Sequence, residues 1–257
     1  MWFRWHNVIA RELRKQHAEW SSERVFNEAR KWVIATHQKI VIYDWLPRWL
    51  GTELDGYTGV WLRDYVRNGC GLIDFNGFQT VRTCNFFWRP QEPMLHRVHG
   101  GDNKDSGFVD IDRLLMGMAT QLTEEEDHKI VEDLRGRVFG PLEFSRRDLM
   151  AVNIQRARDH GLPDFNTARE AYGLEPITSE EHFIHAHETI RQTLKMIYTE
   201  ALGNDSKVNW YDRIDVWVGG LLETGDSPGE LFSAIIRDQF TRIRDADRFW
   251  FENTKNK

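Results

Sequence analysis

Cysteine is scarce, with two in 257 residues. Cys70 and Cys84 lie too far apart for a zinc pair or a redox C-x-x-C. A bridge between them would stabilise by about 3 kcal/mol on the chain-entropy model, in an oxidising compartment alone; two free thiols fit the spacing equally well. No apolar run approaches the ~18 residues of a membrane-spanning helix, so no span is expected. Basic charge is not in excess either. Lys and Arg number 34 against 40 Asp and Glu, a net charge of −6, which gives no electrostatic footprint for nucleic acid and predicts no such partner. G-x-S-x-G, the P-loop, a strand-linked G-x-G-x-x-G and H-E-x-x-H are all missing, removing the commonest hydrolase, nucleotide and zinc-protease readings. Met1-Trp2-Phe3-Arg4-Trp5-His6-Asn7 lacks the basic, apolar and small-residue order of a signal peptide. It reads as the middle of an amphipathic helix with Trp2, Trp5, Ile9 and Leu13 on one stripe and no capping residue ahead of it, so truncation is the expectation.

What the chain does have is aromatic mass, 12% of residues including 11 Trp, enough to fill a large core. Periodicity is helical almost throughout. Ser21-Ser22 can cap a helix through Phe26, Ala29, Val33 and Ile40 that stops at Pro47. Residues 51–107 are rich in Gly, Asn, Asp and Pro without a sustained period, a long irregular segment where function or a deletion is expected. Helical signals resume with Leu114, Leu115, Met118 and Leu122. Thr123-Glu124-Glu125-Glu126 reads as a capping box for a helix holding Ile130, Val131 and Leu134. Another helix opens at Ser145-Arg146-Arg147-Asp148 and ends near Gly161. A further one runs from Ser179 through Phe183, Ile190, Leu194 and Ile197 to Gly203. Ser227-Pro228-Gly229-Glu230 opens the last, with Leu231, Ile235 and Phe240. The expectation is one all-α unit spanning 1–257.

Leu149, Val152, Asn153, Arg156 and His160 share one face of the Ser145 helix. An Asn and an Arg one turn apart either orient a ligand and pair with its carboxylate, or serve as framework, with Arg156 or Arg158 paired to Asp148 or Asp159. His182, His185 and His187 make poor three-ligand geometry, because position 187 points away from the other two; a solvated helix start is the simpler reading, and no metal is assigned. Asp102–Asp112 fails the EF-hand pattern at Lys104 and Arg113. Arg244-Asp245-Ala246-Asp247-Arg248, ahead of Phe249-Trp250-Phe251, reads as an ion-paired helix end. Asn204-Asp205-Ser206 is a glycosylation sequon and leans towards a secretory setting.

Beyond this point the sequence resembles a known family. Asn153-Ile154-Gln155-Arg156-Ala157-Arg158-Asp159-His160-Gly161-Leu162-Pro163 resembles the hallmark helix of the animal haem peroxidases. Arg244 to Asn253 resembles their C-terminal signature, and Trp2–Asn7 and Glu28–Ala35 resemble their two central helices. Trp2-Phe3-Arg4, Phe144–Asp148 and Leu231–Ile235 are most similar to the peroxidase-homology domain of dual oxidases. The resemblance implies a mostly helical fold around haem, with hydrogen peroxide and a small reducing substrate as reactants and family-level roles in peroxide metabolism and the response to oxidative stress. It also implies an extracellular or secretory-lumen setting in a membrane-anchored parent, whose other domains are candidate partners.

In the family, the Asn of the hallmark helix hydrogen-bonds the proximal His and the Arg three residues on contacts a haem propionate; those roles fall on Asn153 and Arg156. The distal His and Arg, the calcium loop and the acidic haem-ester residues precede the Arg-x-His-Asn helix, so none maps onto this chain. The proximal His normally follows Tyr-Thr-Gly in an Arg-x-Gly-His helix. Here Tyr57-Thr58-Gly59 runs almost directly into Trp61-Leu62-Arg63-Asp64, and no Gly-His occurs. A segment of about 30 residues, roughly one long helix, is expected to be absent near 59–61. Some dual-oxidase peroxidase domains lack the haem-ligand set as well. The expectation is thus a C-terminal half-domain with no catalytic residue of its own, in which Asn153 and Arg156 bind the cofactor. The alternative is a haem-free interaction or scaffold module exposing Trp2, Trp5 and Trp61.

Overall fold

Helix α1 spans Trp2–Gln16 and α2 spans Ser22–Lys39, and between them His17 stacks flat on Trp20 with ring centroids 3.8 Å apart. The computed structural model describes residues 1–59, 147–183, 186–201, 209–223 and 228–254, together with 117, 119, 120, 127–131 and 135. Their regular structure is helical: α3 (Leu46–Leu50), α4 (Leu149–Asp159), α5 (Phe165–Ala171), α6 (Glu188–Ala201), α7 (Val216–Leu222) and α8 (Glu230–Ala246) follow in order. A single antiparallel bridge, Asp164 to Asp215, is the one β feature among the described residues. The all-α expectation is met. The chain forms two compact units, Met1–Cys70 with Ser233–Lys257, and Gly71–Phe232.

In the first unit α1 and α2 form an antiparallel pair. Ser21 accepts the Arg24 N–H and so caps α2, a contact worth about 1 kcal/mol. The pair meets through rings, Trp2 against His37 and His6 against Phe26, while Arg14 donates to the Trp20 carbonyl. Only Val25 and Ala29 of α2 are buried, and no residue of α1 is. Phe26, expected on the core stripe, is 52% exposed. Pro47 does not stop the helical path. A π turn over Ile40–Trp45 precedes it and Pro47 enters the first turn of α3, where its missing N–H costs nothing. The stop is Gly51, whose φ of 70° closes α3 in the left-handed region that glycine alone adopts freely.

Residues 51–59 are irregular, as expected, and are tied by arginines of α8. Buried Arg244 donates to the carbonyls of Asp55 at 2.5 Å and Gly56 at 3.5 Å and to Asp245 at 2.8 Å. Arg237 donates to the Glu53 carbonyl at 2.8 Å and to the Thr52 hydroxyl. Backbone acceptors without a ladder are thereby satisfied. The C-terminal signature carries one ion pair among the described residues, Arg244 to Asp245 at 2.8 Å, and its other contacts are of different kinds: Asp247 accepts from Gln38, Arg248 covers the Phe249 ring, and buried Trp250 donates to Glu252. Tyr43 also donates to Glu252. Burial first, and then that carboxylate, push its phenol up to about 12.

The second unit is organised by α7. Gly219 and Gly220 are consecutive, and a Cβ at either would lie 2.5 Å from the Phe165 ring or 2.2 Å from the Phe232 ring. Two buried phenylalanines can therefore press on one helical turn. Phe165 continues into Phe183 and Trp210, with centroids 5.9 and 5.8 Å apart. Three helix starts differ from expectation. Ser179 caps only a 3-10 turn, Glu180–His182, and α6 begins at Glu188, where Thr189 donates to His187. Residues 127–131 are not helical, because Asp127 takes the Lys129 N–H in a local turn. At the start of α8 the Leu231 N–H goes to Glu223 at 2.9 Å, a cap supplied from α7's end. Cys70, Cys84, Trp61, His185, the 204–206 sequon and residues 60–107 lie outside the described residues.

Candidate functional site

Asp148 opens α4 by accepting the N–H groups of Met150 and Ala151, and its other oxygen holds Arg135 at 3.0 Å. The helix closes at His160 and Gly161, where Gly161 has φ of 69° and Leu162 donates back to the Ala157 carbonyl. Those two ends fix the length of α4, and burial shows its inward face. Leu149, Val152 and Arg156 are half-buried, Asn153 is 7% exposed, and His160 is exposed at the end.

The two arginines of the hallmark string do different jobs. Arg158 reaches α7's start and grips Asp215 with two hydrogen bonds, 2.9 and 2.6 Å. Tyr198 of α6 donates to the same carboxylate at 2.5 Å and accepts the Asp215 N–H at 3.2 Å. Burial alone would raise the Asp215 carboxyl. The Arg158 and Tyr198 hydrogen bonds outweigh it and leave the group below its ordinary value. Arg158 is framework, but its partner is Asp215 rather than Asp148 or Asp159. Asp159 instead accepts from Gln155.

Arg156 turns towards Asn153 and donates to Asn153 Oδ1 at 3.2 Å. Asn153 Nδ2 is fully buried and has no hydrogen-bond partner among the described residues, a situation native interiors avoid unless something else supplies the acceptor. The structure thus brings the two expected site residues together and leaves one donor unspent.

One cluster was not legible in the sequence. Arg169 of α5, 3% exposed, donates to Glu223, to Glu230 at 2.6 Å and to the Glu175 carbonyl at 2.7 Å. His182 meets Glu223 at 2.9 Å and is half-buried, not the solvated position expected of it. Ligand-type atoms of His182, Glu223 and Glu230 all lie within 4.8 Å of one another, but the cation those carboxylates face is the Arg169 guanidinium. His6, in the Arg-x-His-Asn string, bonds the Phe26 carbonyl at 3.1 Å.

Comparison with known proteins decides the family. The animal haem peroxidase family model matches residues 1–257. This chain belongs to the animal haem peroxidase family. It is 39% identical to Dual oxidase of Drosophila melanogaster over its full length, covering 17% of that protein, and 38% identical to human Dual oxidase 1, covering 18%. Caenorhabditis elegans Dual oxidase 1 is 37% identical. The chain therefore spans under a fifth of the length of these relatives. Peroxidase A from Dictyostelium discoideum superposes with a TM-score of 0.70 at 28% identity, over 99% of this chain and 49% of that one. The human match extends over 290 positions and the fly match over 271, against 257 residues here. Residues are thus present in these relatives, inside the aligned stretch, that this chain lacks.

Haem is the cofactor the family implies, and the residues of α4 fit it. A guanidinium at Arg156 suits a propionate. The Asn153 oxygen receives Arg156 and keeps a second lone pair for a further donor such as an imidazole N–H. Among the described residues no helix is long and apolar enough to cross a membrane.

Proposed function

We propose that these 257 residues are a single partial haem-peroxidase domain of dual-oxidase type, the C-terminal half with a helix-length segment missing near 59–61. Asn153 and Arg156 face the edge of the cofactor. The observation that carries this reading is the buried Asn153 Nδ2 beside Arg156, without a partner among the described residues, on the helix whose sequence is the family's hallmark. The longer aligned stretches of the relatives support the missing segment. The role at family level is peroxide-dependent oxidation of a small reducing substrate. The setting is the extracellular or secretory lumen, in a membrane-anchored parent.

On this reading these residues do not by themselves turn over peroxide, because the sequence holds no Gly-His and so no Arg-x-Gly-His string for a proximal ligand. Titration with haemin tests the reading. A stoichiometric Soret shift without turnover of a phenolic donor is expected. Robust turnover, with a Soret band lost on substituting one histidine, would overturn the inactivity, and no binding would remove the cofactor site.

A haem-free scaffold role has its own observation. Helix α1 buries no residue, and Trp2, Phe3 and Trp5 are 40%, 90% and 43% exposed, which suits docking to other parts of a parent oxidase or to a protein partner. Absence of haemin binding together with full folding favours that reading.

A further inference from the structure

We infer that Tyr43 is a proton-coupled oxidation site, where the phenol gives an electron to a diffusible one-electron oxidant and its proton to Glu252. The site lies wholly within the first unit and uses no residue of α4, so it stands or falls apart from the cofactor reading. Three observations carry it. Tyr43 donates to Glu252 Oε2 across 209 positions. Trp250, 2% exposed, donates its indole N–H to the same oxygen at 2.9 Å and so holds the carboxylate against the phenol. Tyr43 itself is 38% exposed, with its ring edge-on to Phe251 at 6.3 Å, so a small oxidant reaches the ring while the hydroxyl stays on its acceptor.

A phenol that loses an electron becomes a strong acid, and the electron leaves more easily when a positioned base takes the proton in the same step. Burial and then the Glu252 carboxylate push the phenol up to about 12, so it holds its proton at neutral pH and both particles must leave. The balance closes on named groups. An oxygen-centred radical takes the electron and becomes its anion, which solvent protonates. The O–H bond of Tyr43 breaks, a new O–H forms on Glu252, and the ring is left as a neutral phenoxyl radical. A small reductant later returns the electron, and Glu252 returns the proton.

A second phenol–carboxylate pair shows what such a site needs. Tyr198 donates to Asp215 at 2.5 Å, but Arg158 grips both oxygens of that carboxylate. A carboxylate held ionised in this way is a poor base, and Tyr198 is buried besides. Tyr211 donates to the Thr178 carbonyl at 2.9 Å, which accepts a hydrogen bond but does not keep a proton. Glu252 forms no ion pair among the described residues, and both its donors are neutral groups.

The test oxidises the 257-residue chain with photogenerated tris(bipyridine)ruthenium(III), which accepts an electron and no proton. The spin trap tert-nitrosobutane captures phenoxyl radicals, and peptide mass spectrometry locates the adducts. Tyr43 is expected to carry more adduct than Tyr198 or Tyr211, and its yield should fall in heavy water because a proton moves in the step. Glu252→Gln keeps a hydrogen-bond acceptor but takes no proton. It should lower the Tyr43 yield on the order of tenfold and abolish the difference between light and heavy water, with circular dichroism checking that the variant is folded.

Labelling of Tyr43 no stronger than that of Tyr211, or equal Tyr43 yields in light and heavy water, would each overturn the inference on the parent chain alone. A folded Glu252→Gln chain labelled at Tyr43 as strongly as the parent would show that exposure, and not the carboxylate, selects the residue, and would overturn it too.

Discussion

Arg158 and Asp215 lie 57 positions apart and meet through two parallel hydrogen bonds of 2.9 and 2.6 Å. The fork geometry joins the end of α4 to the start of α7, and Tyr198 adds a third contact from α6 at 2.5 Å. One carboxylate thus ties three helices. The Arg158 side chain is 58% exposed and that of Asp215 13%, so solvent screens the charge and most of the value lies in the buried end.

Tyr198→Phe should therefore cost about 1–2 kcal/mol, because Asp215 Oδ2 loses one of its two donors and the Asp215 N–H loses its acceptor. Urea denaturation of the two chains measures it. A midpoint unchanged by the substitution would show that Tyr198 is not part of the tie.

Acid should loosen the same junction. The folded Asp215 carboxyl lies below its ordinary value, so its contribution is fully present above the unfolded pKa of about 3.9 and is lost as pH falls through the lower folded value. Thermal midpoints measured from pH 6 down to pH 2 should fall less steeply in Asp215→Asn than in the parent chain. Identical slopes would contradict the assignment.

At Gly219 and Gly220 the expected effect is steric. Gly219→Ala puts a Cβ about where the Phe165 ring lies, at 2.5 Å, and Gly220→Ala meets Phe232 at 2.2 Å. Overpacking of this kind costs ~1–3 kcal/mol. Pairing each alanine with Phe165→Leu or Phe232→Leu should recover part of the loss, and failure to recover would move the cause away from these contacts.

Buried Arg169 gives the largest expected loss. Arg169→Met leaves the Glu223 carboxylate, 5% exposed, without its cation, and breaking one side of a buried pair costs ~3–5 kcal/mol. The double variant Arg169→Met with Glu223→Gln should be milder than Arg169→Met alone. Equal losses would mean that the charge of Glu223 is not what makes the single change costly.

Much of this architecture is legible in the sequence. The all-α class followed from helical periodicity, and the Asn153 and Arg156 pair from their one-turn spacing on α4. The Arg244–Asp245 pair followed from charge alternation. Helix starts were read less well, because local caps compete with distant ones. Ser179 holds only a 3-10 turn, and the first N–H of α8's interior is taken by Glu223. Pro47 misled for a similar reason, since a π turn places it where no N–H is required.

The sequence by itself determined the helical periods, the family and the placing of Asn153 and Arg156 on one helix face, because these are written in local spacing and in contiguous strings. Tertiary structure alone decided what those side chains do. Which acid Arg158 grips and that Arg169 lies buried against two glutamates depend on groups brought together across dozens of residues. Spacing along a helix fixes a face; hydrogen-bond direction is set by what that face meets.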